Sequence, residues 1–467
     1  MGVMANGTSG LRYRLNNWTA GVVAATVLLT PVALGGNRPA IWALSALLLF
    51  AWATIYFGRL GFAAASPRAS ASRYGFITGL FWAMAAYMIV QILPIADLLP
   101  RSWLTLPGGA DPGMRISLTP GETALALLRW LAYGMLFYLC LQVAANSARS
   151  AVFLKILFWI VVAHALYGLL LFFEFDDAIL FTDKWAYRGS ATGGFVNRNS
   201  YATFLAIGAA VGATLVGNLL FMPRSDGRRR RWVDLIEGGG GIVYILVGCL
   251  AIAATLALTT SRMGFFAALC GALSAFLLSA WQGRKRFGAG SLAIGLLAGF
   301  AALAVLAFLY GGILVERLGT VESSANIRAD LYWQIWSMIA DRPLLGFGGS
   351  SFEYAFPLYH EAPVSFDAVW DKTHSTYLAL WMGYGVFFGT LPLLIVAWCL
   401  VRLFGLLRRE GREDPAVAAA IGAIVVAAVH STVDFSLEIQ GVAYLFVAVV
   451  ATGLGGLARR SRQRERG

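Results

Sequence analysis

The sequence is poor in the groups that soluble enzymes rely on. Of its 467 residues only 13% are charged, with 24 acidic side chains, four histidines and four cysteines. A soluble domain carries about 25% charged residues. It has no Walker lysine loop, no His-Glu-x-x-His, no Gly-x-Ser-x-Gly and no Cys-x-x-Cys. These gaps argue against a phosphate-loop NTPase, a zinc protease, a nucleophile-elbow hydrolase and a dithiol oxidoreductase. The glycine-rich stretch GFGGSSF, 346–352, follows no clear strand and so gives no nucleotide-binding signature. Strand-like alternation, heptads, low-complexity tracts and tandem repeats are also missing. Cys140, Cys249, Cys270 and Cys399 all fall inside apolar runs, which suits buried thiols better than disulfides or a metal site.

What the sequence does have is apolar length. Hydrophobic residues make up 59% of the chain, in runs of about 20 or more, enough to cross ~30 Å of hydrocarbon. Backbone in that environment must be helical or closed into a barrel, and without alternation the runs read as helices. The expected fold is all-α and polytopic, with about twelve spans at roughly 18–36, 39–58, 75–96, 123–145, 151–175, 197–221, 240–259, 261–281, 289–313, 374–404, 416–435 and 441–458. Arg12 and Arg14 precede the first run, but no small-residue cleavage site follows, so it reads as an uncleaved helix. Gly383 and Gly385 fall where the long tenth run could break.

The formal charge of +12 is then topological rather than a nucleic-acid footprint. With both termini in the cytoplasm, 24 of the 36 Lys and Arg fall on the cytoplasmic side. That bias orients the chain. It divides the sequence into spans one to nine (1–313), a large periplasmic loop (314–373), and spans ten to twelve with a basic tail (374–467). A loop of about sixty residues is too long for a simple connector. Within it, 328–340 has helical periodicity with an aromatic face, and 341–352 is turn-rich.

Few residues could carry chemistry. His164 lies mid-span and reads as a packed polar spot, and His360 reads as a loop-surface residue. His374 and His430 each begin a His-Ser-Thr tripeptide, HSTYL and HSTVDF. They sit at the outer ends of antiparallel spans ten and eleven, beneath the large loop. A histidine there suits a general base, although helix capping and interhelical hydrogen bonding would use the same residues. Arg198 in GGFVNRNSYA and Arg262 in TTSRMGFF have apolar flanks. An arginine at a helix centre costs roughly 2.5–3.5 kcal/mol on insertion scales, so such residues usually face a cavity or a ligand. With Arg328 of the loop helix they could converge on phosphate oxygens, which the guanidinium fork matches. Snorkelling to lipid headgroups is the bland alternative, and it is the accepted reading for Arg38 and Arg129.

In their order, GGFVNRNSYA, TTSR, Arg-x-x-x-x-Trp at 328–333, DRPLLGFGGSSF, HSTYLALWMGYG and HSTVDFSLEI resemble the O-antigen ligase/polymerase family of bacterial membrane proteins. The likeness is strongest over about 190–440. It implies a glycosyltransferase-C-like enzyme of the bacterial inner membrane with a periplasmic active site, acting in lipopolysaccharide and cell-envelope polysaccharide biosynthesis. The donor would be a glycan on undecaprenyl diphosphate, and the acceptor the lipid A–core in a ligase or a lipid-linked glycan in a polymerase. The resemblance implies no metal, no nucleotide cofactor and no nucleic acid, with membrane lipids as surroundings. It makes His374 the essential base and Arg198, Arg262 and Arg328 counterparts of the family's essential arginines; His430, Asn199 and Asp434 read as supporting residues. A transporter or flippase for an anionic or lipid-linked substrate is the competing reading. It would gather polar residues near the bilayer midplane, whereas these gather at the outer side.

Overall fold

The computed structural model describes residues 2–109, 111, 113–221, 241–283, 318–367, 369–408 and 414–464. Its long helices are α1 (Gly2–Leu29), α2 (Pro39–Phe62), α3 (Gly75–Ile92), α4 (Pro120–Ala144), α5 (Ser147–Phe173), α6 (Arg198–Phe221), α7 (Gly241–Leu258), α8 (Arg262–Gly283), α9 (Leu318–Asp341), α10 (Thr376–Leu407), α11 (Pro415–His430) and α12 (Gln440–Arg464). Among the described residues no strand forms beyond one isolated bridge, Ile179 to Thr182. Among the described residues ten helices are long and apolar enough to cross a membrane, and α11 is a shorter apolar helix. The chain is therefore an all-helical, multi-pass membrane protein. The expected ninth span, 289–313, lies outside the described residues.

Local sequence explains where helices start. Pro39, Pro120 and Pro415 stand in the first turns of α2, α4 and α11, where a missing N–H loses nothing. The Asn146 side chain accepts from the Arg149 N–H at 2.9 Å and Asp414 from the Ala416 N–H at 3.1 Å, capping α5 and α11.

Helices α6, α8, α11 and α12 form the centre, with α4 and α5 packed against it. Small residues allow close approach there. A Cβ added to Gly271 of α8 would lie 2.8 Å from the Gly422 carbonyl of α11, and one on Gly422 equally close to the Gly271 carbonyl. Without a hydrophobic driving force between helices in lipid, such close packing is what holds them.

The turn-rich segment after α9 is spliced into a broken helix. Helix α10 breaks at Gly385, whose φ of 71° and ψ of 164° are non-helical. The Phe347 and Gly348 N–H groups donate to the Met382 and Gly383 carbonyls at 2.9 Å each, and the Val386 N–H to the Pro343 carbonyl at 2.7 Å. From α3, the Gln91 amide donates to the Leu345 and Gly383 carbonyls at 2.9 Å each. Backbone groups freed by the break are thus satisfied internally, as a low-dielectric setting requires. Nearby, Arg342 is fully buried and donates to the carbonyls of Thr105, Ile116 and Leu104 while lying over the Phe347 ring. Burial pushes its pKa down to about 10, so it stays protonated at neutral pH and ties segment 93–119 to the end of α9.

Candidate functional site

The two His-Ser-Thr tripeptides meet at one end of the bundle. The Thr376 N–H donates to the Ser431 carbonyl at 3.1 Å and the Asp434 carbonyl at 3.2 Å, and the Ser375 hydroxyl donates to the Ser431 carbonyl at 3.1 Å. Above them, the Tyr332 hydroxyl of α9 lies 2.7 Å from the His374 carbonyl and 3.3 Å from that of Thr432. The loop helix therefore covers both tripeptides. Among the described residues it runs Leu318–Asp341 and includes the expected 328–340 segment.

His374 does not open α10 as expected. It precedes the helix by two residues, with φ of +55°. Its ring stands edge-on to Trp370 at 5.9 Å and to Phe435 at 5.4 Å. Its Nδ1 is buried without a hydrogen-bond partner among the described residues. Burial pulls the imidazole pKa below its ordinary value; Asp434 and Asp371 push it up, and Arg328 and Lys372 push it down. A neutral imidazole with an uncommitted nitrogen is the form a general base needs.

His430 ends α11 and is almost fully buried. Its Nδ1 lies 2.6 Å from the Thr203 hydroxyl, which is 2.8 Å from the Ser436 hydroxyl, which in turn donates to the Asp434 carboxylate. An ionised carboxylate only accepts, so the chain runs from His430 N–H through Thr203 and Ser436 to Asp434. That leaves His430 a packed, hydrogen-bonded residue, consistent with the bland reading. The other Asp434 oxygen, Oδ2, is buried with no hydrogen-bond partner among the described residues.

Arg198 stands at the first turn of α6 and Arg262 at the first turn of α8, at the same end of the bundle. Arg198 donates to the Thr260 hydroxyl at 2.6 Å and the Ser190 hydroxyl at 3.2 Å, with its guanidinium 5.5 Å from the Tyr187 ring centre. Asn199 accepts from the Ser261 hydroxyl at 2.8 Å, which joins α6 to the turn holding Arg262. Tyr187 marks the convergence. Burial raises its pKa, Asp434 and Asp371 raise it further, and Arg198 and Arg328 lower it. Arg198, Arg328, Asp434 and Asp371 are therefore all within electrostatic reach of one phenol, and His374 shares three of those four neighbours.

Other histidines stand apart. His164 is buried with Nε2 2.9 Å from the Leu28 carbonyl. His360 stacks between Phe356 and Phe366. Of the arginines read as snorkelling, Arg38 is exposed, but Arg129 is not at a headgroup. It is buried, donates to the Glu438 carbonyl and the Tyr133 hydroxyl, and lies over the Trp42 ring. Sequence reasoning also missed Tyr187, Ser190, Thr260, Thr203, Tyr332 and Glu438. The four cysteines are free thiols.

A cavity of about 740 Å³ begins beside His374, lined by Asp371, Lys372, Thr373 and Thr376, and continues along α3, α4, α10 and α12. It does not touch Arg198, Arg262 or Arg328.

No curated protein matches the chain. A family model described as O-antigen ligase matches residues 247–394. That segment includes Arg262, Arg328 and His374, and excludes Arg198, Asn199, His430 and Asp434. Over those residues the chain is similar to the O-antigen ligase family, and on an all-helical, multi-pass bundle that similarity supports a membrane enzyme that transfers glycans.

Proposed function

We propose that this protein transfers a glycan from undecaprenyl diphosphate to a glycan acceptor at the periplasmic face of the bacterial inner membrane. The observation that carries the reading is His374, a buried imidazole with an unpartnered nitrogen, set among Asp434, Arg328 and the surroundings of Arg198. In the reaction, the acceptor hydroxyl oxygen forms a bond to the anomeric carbon as the bond from that carbon to the diphosphate oxygen breaks. His374 takes the hydroxyl proton, and the electron pair leaves with the diphosphate. Arg198, Arg262 and Arg328 hold that leaving group and oppose its growing charge, a preorganised electrostatic role. Attack opposite the diphosphate inverts the anomeric centre. Asn199 and the His430–Thr203–Ser436–Asp434 chain hold the site's walls in place.

Lipid-diphosphate chemistry suits the site because diphosphate is already a good leaving group, so proton removal and charge stabilisation are the main demands. The test is a deletion strain examined for surface glycan, complemented with wild type or His374→Ala. Loss of long chains on lipid A, restored only by wild type, supports a ligase, and persistence of single repeats supports a polymerase. An unchanged surface glycan in the deletion strain would overturn the proposal.

A further inference from the structure

The cavity beside His374 is lined mostly by apolar side chains. Its wall on α4 follows one helical face through Ala126, Arg129, Tyr133, Phe137 and Leu141. From Ala126 to Leu141 is about 22 Å at 1.5 Å per residue, most of the ~30 Å hydrocarbon thickness. Trp82, which also lines it, is 58% exposed on the outside of the bundle, so the slot opens sideways where lipid would lie. Its volume falls in the ~300–1,000 Å³ range of ligand sites.

Four charged side chains line the slot. Lys372, Asp371, Glu438 and Arg129 line the slot near the start of α10. Glu438 Oε1 is buried with no hydrogen-bond partner among the described residues, a cost that a donor from a ligand would remove. Two cations and two carboxylates make this end nearly neutral. Carboxylates accept hydrogen bonds from sugar hydroxyls, and an end with cations and carboxylates in equal number lacks the excess positive charge that would hold a diphosphate. The arginines suited to diphosphate lie outside the slot.

We infer that this slot holds the lipid chain of the glycan acceptor, with the first sugar at Glu438 and Asp371, while the donor's diphosphate binds separately at the arginines. Asp371, Lys372 and Thr373 line the slot and His374 follows them in the chain, so the acceptor's sugar would be held beside the proposed base. This assignment rests on the glycan-transfer reading. It has the acceptor drawn in from the side of the bundle.

The test uses the full chain in nanodiscs, with a hexadecyl β-glucoside brominated along its chain as the probe. Trp82 and Trp130 line the slot, so bound probe should quench part of the tryptophan fluorescence in a saturable manner. Ala379→Phe and Thr78→Phe, two independent slot-filling variants, should each raise the half-saturating concentration at least about tenfold. Arg198→Lys should leave it unchanged, and undecaprenyl diphosphate should not displace the probe. In transfer assays the same two variants should raise KM for hexadecyl glucoside and not for methyl glucoside. Displacement by undecaprenyl diphosphate would make the slot the donor's and overturn the inference. Quenching that never saturates, as with brominated phosphatidylethanolamine, would show bulk lipid only and overturn it too. Saturable, variant-sensitive binding without transfer to either glucoside would instead overturn the glycan-transfer reading on which the acceptor assignment rests.

Discussion

Ser375 and Ser431 are joined by a hydrogen bond from the Ser375 hydroxyl to the Ser431 carbonyl, 3.1 Å long. Each is the middle residue of a His-Ser-Thr tripeptide, so the contact fixes the end of α11 against the start of α10. The two histidines beside it have different surroundings. His430 is locked to Thr203 on the inside, whereas His374 sits in a left-handed turn with Nδ1 uncommitted.

That difference predicts a ranking. His374→Ala should insert normally and lose about 10²–10⁴-fold in transfer, the usual worth of general-base catalysis. His430→Ala should cost less, through a loosened Thr203–Ser436–Asp434 chain, and His164→Ala least. The measurement is transfer from a defined lipid-diphosphate donor at matched protein levels. An active His374→Ala beside a dead His430→Ala would mean that the other histidine is the base.

The arginines give a second prediction. Arg198→Lys and Arg262→Lys keep the charge and lose the planar fork. Each should remain in the membrane and drop transfer about 10²-fold, the scale seen when one preorganised transition-state donor is removed. Near-normal turnover by both lysine variants would rule out bidentate binding of diphosphate.

Much of the bundle was legible because its signal is local. Hydrophobic length located most of the described membrane helices, the ninth run lying outside the described residues, and Gly385 broke the tenth run where two glycines stood. The site was legible in part for a similar reason. A repeated tripeptide at matching ends of antiparallel helices can be placed in space from topology alone. What stayed hidden depends on contacts far apart in sequence. Nothing near Gln91 indicates that its amide will reach Leu345 and Gly383. Arg129 read as a headgroup contact because its partners, Glu438 and Trp42, come from distant elements. The left-handed turn at His374 was invisible because the Ser and Thr that follow it look like an ordinary helix start.

Gly385 supports a third prediction. Its backbone lies in a region that essentially only glycine occupies, worth of order 1–3 kcal/mol of strain for another residue. An added Cβ would sit 2.3 Å from the Leu344 carbonyl oxygen. Gly385→Ala should therefore lower the thermal unfolding midpoint of the detergent-purified protein well below that of Gly79→Ala, where a Cβ meets nothing within 4 Å. Equal midpoints would show that the spliced break does not bear on stability.

The fourth prediction concerns pH and uses two neighbours of opposite sign. A general base works as the neutral imidazole, so kcat/KM should fall as pH drops through the His374 pKa. Burial holds that pKa below its ordinary value, which keeps the base available in mildly acidic solution. Asp434 raises it, so Asp434→Asn should move the acid limb to lower pH. Arg328 lowers it, so Arg328→Gln should move the limb to higher pH, whatever amplitude is lost with a diphosphate ligand. The measurement is kcat/KM for transfer across the acid range for wild type and both variants, each checked for intact folding at every pH. A purely structural role for either residue would change the height of the profile and leave the limb in place. Limbs that move in the same direction, or that stay put in both variants while His374→Ala is dead, would mean that the titrating group behind the profile is not His374.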